Sequence, residues 1–177
     1  MKSVISIALV ICGLISTLPL NAQEKSEDKS KRPSPPAKVS QKISTGATIS
    51  IDYSQPSIKG RIIGKEVEPM DGKVWRTGAN EATVFETNKD LSIEGKKLAA
   101  GKYGLFTVFN GDNATVIFNK TWKQWGAFDY KEADDALRIT TKSVPETTST
   151  EKLTFMISPA GVITLLWGNK KTEFTVK

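Results

Sequence analysis

Gly104-Leu105-Phe106-Thr107-Val108-Phe109-Asn110-Gly111-Asp112-Asn113-Ala114-Thr115-Val116-Ile117-Phe118 decides the fold. Two apolar runs of strand length flank Asn110-Gly111, a pair suited to the positive φ of a tight hairpin. Gly104–Phe109 is apolar on both faces, which predicts a central strand. Ala114–Phe118 returns antiparallel to it.

The pattern continues outward on both sides. Toward the C-terminus, Leu137–Thr141 is a strand with Leu137 and Ile139 inward, and Pro145–Thr150 is polar and loose. Leu153, Phe155 and Ile157 then share a face, and Ser158–Gly161 turns the chain into Val162–Trp167. A Gly168-Asn169 turn leads to a last strand with Thr172, Phe174 and Val176 on one face. Toward the N-terminus, Ile49, Ile51 and Tyr53 alternate, and Thr45-Gly46 joins them to a strand over Val39–Ile43. Ala82–Thr87 and Leu91–Ile93 complete the set, with a turn at Glu94-Gly95. Roughly nine or ten short strands at hairpin spacing, and no helix of useful length, predict an all-β fold. The expected form is an antiparallel β-sandwich, the jelly roll being one arrangement this strand count allows.

All seven Phe, four Trp and three Tyr of the 177 residues lie beyond residue 50, so the core belongs to the later part of the chain. Residues 1–22 have the form of an export signal. Lys2 gives the positive end, Val4–Leu20 is almost wholly apolar, and Leu20-Asn21-Ala22 offers a small residue before a cut. Cys12 follows the bulky Val10 and Ile11, an unfavourable setting for lipid attachment. Residues 23–36 are charged and proline-terminated without an apolar residue, which predicts a disordered linker. The expected domain is 37–177, in a periplasmic or extracellular setting, with only transient membrane contact through the signal.

The chain has no histidine, and a mature form cut after Ala22 has no cysteine. Ser-His-Asp and Cys-His nucleophile systems and the commonest zinc sites are thereby excluded, and stability does not come from disulfides. Loss of Lys2 takes the formal charge from +6 to +5. The lysines are scattered without a basic aromatic stripe, so nucleic acid is not the expected partner.

Gly72-Lys73-Val74-Trp75-Arg76-Thr77-Gly78-Ala79-Asn80-Glu81 concentrates interacting side chains between glycine turns. Arg76 offers a planar fork of donors for a carboxylate, phosphate or sugar hydroxyl. Asn80 both donates and accepts, and Trp75 supplies a flat apolar face. The competing reading is a self-satisfied corner in which Arg76 pairs with Glu81 or Asp52 and Trp75 fills the core. Asn119–Glu132 holds Trp122, Trp125, Phe128 and Tyr130 beside Lys120, Gln124 and Asp129. It reads as an ordered loop, either an aromatic platform or a loop tied down by its own rings, with a short helical turn within 131–136. The candidate binding set is Trp75, Arg76, Thr77, Asn80, Glu81, Trp125 and Tyr130. Among Asp52, Glu81, Asp129 and Asp134 an acid–base pair is conceivable. No metal-ligand spacing or phosphate loop is present, so no metal and no cofactor is expected.

Tyr53–Arg61, Gly72–Thr83, Ala100–Thr107 and Phe118–Tyr130 occur in an order that resembles the bacterial domain-of-unknown-function family numbered twenty-nine eleven, found in exported proteins. The likeness covers about residues 35–177. It implies a shared fold and site and brings no reaction. The expected function is a non-catalytic binding or interaction module. Its ligand would be a glycan, a small polar or anionic molecule, or an envelope protein. A carboxylate-based saccharide hydrolase and a structural envelope domain are the alternatives.

Overall fold

The computed structural model describes residues 27–177. The expected export signal and residues 23–26 of the linker lie outside the described residues. Nine strands carry the fold: β1 Pro36–Lys42, β2 Thr48–Ser54, β3 Thr83–Thr87, β4 Leu91–Ile93, β5 Lys96–Leu98, β6 Gly101–Asn110, β7 Asn113–Asn119, β8 Asp135–Ile157 and β9 Val162–Thr175. Seven of them form one antiparallel sheet in the order β1-β2-β3-β6-β7-β8-β9, and β4–β5 is a separate hairpin. The Asn-Gly turn does what its residues require: Gly111 takes φ +60, and Leu105 faces Phe118 while Asn110 faces Asn113. Residues 103–107 are buried without alternation, as a central strand demands.

Two layers arise because this sheet curls. β8 pairs with β7 over its first part and with β9 over the rest. The β8–β9 ribbon thereby folds back over the inner face of the other strands. Tyr53 meets Phe155 edge-on at 5.0 Å, and Phe118 meets Phe174 at 6.0 Å. The far end of the sheet closes onto the same ribbon, where Leu153 N–H donates to Pro56 O and Ile58 N–H to Glu151 O, both at 3.0 Å. Ile49, Ile51, Phe85, Leu105, Phe118, Leu153 and Ile163 make one continuous core between the layers. The loose stretch expected at Pro145–Thr150 is instead part of β8, where the register shifts against β9. The expected Gly168-Asn169 turn is likewise an irregularity within β9, with Gly168 at φ +58. A residue at positive φ kinks a strand without ending it.

Residues 27–36 of the expected linker are placed, and charge holds them rather than apolar burial. Asp28 caps a 3₁₀ turn at Lys29–Lys31. Arg32 pairs with Glu27 and donates to Glu81 at 2.8 Å, and Lys29 reaches the same Glu81 at 2.7 Å. Gln55 N–H donates to Pro35 O at 2.8 Å. This strap crosses the corner that carries Asn80 and Glu81. The helical turn expected within 131–136 is a 3₁₀ turn at Glu132–Asp134. Among the described residues, no helix is long and apolar enough to cross a membrane.

The turn into β9 shows how tightly the chain end is packed. Gly161 sits at φ +86 and accepts from Val176 N–H at 2.8 Å. A methyl group there would collide with the Val176 carbonyl. Gly111 has positive φ as well, but open space where a methyl would go. Urea denaturation should therefore separate strain from collision: Gly111→Ala costs about 1 kcal/mol from backbone strain, and Gly161→Ala about 3 kcal/mol once overpacking is added. Equal costs would show that the Val176 contact gives way freely.

Candidate functional site

Trp75 sets the geometry of the corner. Its N–H donates to Thr107 O at 2.8 Å and its carbonyl accepts from Thr107 N–H at 2.9 Å, so it lies alongside β6. The indole is 2% exposed, and its Nε1–H donates to Gly78 O at 3.0 Å. Thr77 is fully buried at φ +51, with its hydroxyl 3.1 Å from that of Thr107. A side chain at Gly78 would stand 2.9 Å from Thr83 Oγ1 and 3.1 Å from Ser54 O, so only glycine lets this turn press against β2. Trp75 and Thr77, expected as ligand contacts, therefore present no face to solvent. They hold the corner in shape.

Arg76 is the exception to an otherwise satisfied turn. It is half-buried, its Nε has no hydrogen-bond partner, and its guanidinium enters no ion pair among the described residues. Burial lowers its pKa, and the charge of Glu68, which forms no ion pair with it, opposes the shift. The partners that a self-satisfied corner would use are engaged elsewhere. Asp52 pairs with Lys38 at 3.0 Å, and Glu81 belongs to Lys29 and Arg32.

The structure brings the two candidate stretches together. Gly126 N–H donates to Asn80 O and Ala82 N–H to Gln124 O, both at 3.0 Å, and Glu81 bridges to Trp125. Gly126 lies between Arg76 and Phe128: a methyl group on it would be 3.8 Å from Arg76 NH1 and 2.9 Å from the Phe128 ring. Gln124 is buried, with Nε2 donating to Thr121 O at 2.5 Å and Oε1 without a partner. Trp125 is 53% exposed and Phe128 83%. The Arg32 guanidinium stands 5.7 Å from the Trp125 ring centre. Asn80, at φ +56, donates from Nδ2 to Ser34 O at 2.9 Å and so fastens the strap. Tyr130 is the member of the expected set that points elsewhere. Its ring packs on Phe106 at 5.2 Å, and its hydroxyl donates to Asp135 at 2.8 Å. Burial, then that carboxylate, raises its pKa. Arg32 was not in the expected set, and nothing in a charged, proline-rich stretch singles it out.

The electrostatics of Glu81 bear on acid–base chemistry. Burial alone would raise its pKa, but hydrogen bonds from Lys29 and Arg32 outweigh it and bring the carboxyl down to about 2. A general acid needs the opposite shift. Asp134 accepts from the Thr121 hydroxyl at 3.1 Å. Among the described residues no group of three His, Cys, Asp or Glu is placed to hold a metal ion.

A separate cavity of about 500 Å³ opens between the β8–β9 ribbon and the loop 56–72. Its lining includes none of the expected site residues. Ile58, Ile63, Phe109, Leu165 and Trp167 give it apolar surface, and Arg61, Asp71 and Lys170 give it charge. Sequence offered no signal for it, because its walls come from four separated segments.

A family model described as protein of unknown function, DUF2911, matches residues 34–176. No curated protein and no solved structure matches the chain. The match takes in all nine strands, the Trp75–Glu81 corner and the aromatic loop, and the chain belongs to the DUF2911 family.

Proposed function

We propose that this is an exported, non-catalytic binding module that recognises an anionic group at the Arg76 corner. The half-buried guanidinium without a counter-ion carries the reading. A charge withdrawn from water and left unpaired costs free energy, and a carboxylate, sulfate or phosphate would offset that cost by bidentate pairing. Trp125 and Phe128 beside it offer exposed rings for the apolar face of a sugar or similar scaffold. An acidic saccharide combines both features. Asn80 and Glu81 serve by holding the strap that borders the site. The export signal read at residues 1–22 would place the module in the periplasm or outside the cell.

Thermal unfolding with glucuronate, and with glucose as the neutral control, tests this. Glucuronate at about one hundred times its Kd should stabilise the wild type by about 2.7 kcal/mol, and glucose should not. Arg76→Met removes the orphaned donor while keeping the stem. It should raise stability without ligand by about 1 kcal/mol and abolish the glucuronate response. A response equal in wild type and R76M, or equal for the two sugars, would remove Arg76 from recognition.

The strap contact should depend on acid and not on physiological pH. Glu81 titrates near 4.5 when free and at about 2 in the fold. Its contribution is therefore complete above 4.5 and lost as pH falls through 2. The Trp125 indole N–H resonance should move across that window, and in Glu81→Gln it should already lie at its acid position at pH 7. A resonance that is flat down to pH 2, or identical in E81Q and wild type, would sink the assignment.

A further inference from the structure

We infer that the 500 Å³ cavity is a second binding site, one that takes an amphiphile with an apolar body and a single anionic head. Its size falls within the range of small-molecule sites, roughly 300–1,000 Å³. Its chemistry is divided in the way such a ligand requires. Phe109, Leu165 and Trp167 supply apolar surface, with Ile58 and Ile63 opposite from the loop. Buried Leu165 and Trp167 belong to β9, so this surface is rigid.

The charge on the lining is a prepared arginine. Arg61 is fixed by its own loop: Nε donates to Ile58 O at 2.9 Å and NH2 to Ser57 O at 2.6 Å. These bonds leave NH1 unengaged and hold the planar fork in one orientation, which lowers the ordering cost of pairing with an anion. The other cation on the lining is already paired, and the one carboxylate, Asp71, holds a backbone amide and keeps its charge. Lys170 pairs with Asp112 at 2.6 Å, and Asp71 accepts from Gly111 N–H at 3.0 Å. Arg61 is therefore the head-group contact, and the sign it selects is negative.

The cavity is preformed, because the loop that walls it is tied at both ends and in the middle. Ile58 N–H donates to Glu151 O at 3.0 Å, Trp167 Nε1–H to Glu68 O at 2.8 Å, and Gly72 N–H to Phe109 O at 2.7 Å. The Trp167 bond places the only indole on the lining where it can report on occupancy.

Titration of the purified R76M protein, which lacks the corner's anion donor, with 1-anilinonaphthalene-8-sulfonate, followed by displacement with decanoate, tests the site. Saturable fluorescence with one site per chain is expected, decanoate should displace the probe, and decanol should do so at least several-fold more weakly. Ser149→Trp puts an indole at an exposed lining position and should abolish binding. Arg61→Ala should weaken it about tenfold. Adding Phe128→Ala to R76M should leave the titration unchanged, which separates this site from the aromatic loop of the corner. Titrations of S149W and R61A, each in the R76M background, that match R76M alone would overturn the inference. So would loss of the probe signal in F128A, since binding would then lie on the aromatic loop.

Discussion

The burial of Trp75 is the constraint on which the corner depends. Its backbone pairs in both directions with Thr107 at the middle of the central strand, and its indole closes a ring through Gly78. Neighbouring residues along an extended chain face opposite ways, so an inward Trp75 commits Arg76 to the other side. The turn that follows reverses within a few residues because Thr77 and Asn80 accept positive φ and Gly78 accepts the approach of Ser54 O. The segment cannot swing to bring Arg76 to Glu81 or Asp52. The unpaired guanidinium is thus a consequence of core packing, and its cost is borne by a fold that gains stability from the tryptophan next to it.

What the sequence made legible follows from how local each signal is. Ile49-Ile51-Tyr53 and Leu153-Phe155-Ile157 alternate within a few residues and are buried as read. The Asn110-Gly111 turn is specified by its own backbone needs. Features that depend on distant partners were not legible. Pro145–Thr150 looks like a loop because it is polar, yet β9 and the register shift carry it as strand. The antiparallel all-β fold was legible from strand spacing, but not that its two layers come from one curled sheet, where β8 packs against β2. At the corner, residue types pointed to Trp75 and Arg76 together, but which one faces solvent depends on β6. Arg32 could not be found at all, because its role comes from Glu81 and Trp125 about fifty residues or more away.

The strap illustrates how a segment without apolar residues becomes placed. Composition alone says that residues 23–36 cannot offset their ordering entropy by burial. In residues 27–36 the offset comes from other sources: Arg32 satisfies two carboxylates and lies over an indole, while Ser34 and Pro35 carbonyls accept from Asn80 and Gln55. Several of these groups are partly exposed, so salt screens them, and the strap is the part of the fold whose hold on the corner varies most with ionic strength.

That dependence determines what can control recognition. A site controlled by pH in the physiological range needs a group that titrates there, and the chain has no histidine to supply one. Glu81 loses its charge only in strong acid, and Arg76, though burial lowers its pKa, starts from the strongly basic value of any guanidinium. The corner therefore keeps its charge through the range in which proteins work. Ionic strength is different, because it acts at once on the strap's ion pairs and on the attraction between Arg76 and an anion. Salt loosens the strap that borders the corner and weakens the proposed pairing of Arg76 with an anion, so ionic strength rather than pH is the variable to which the proposed site responds.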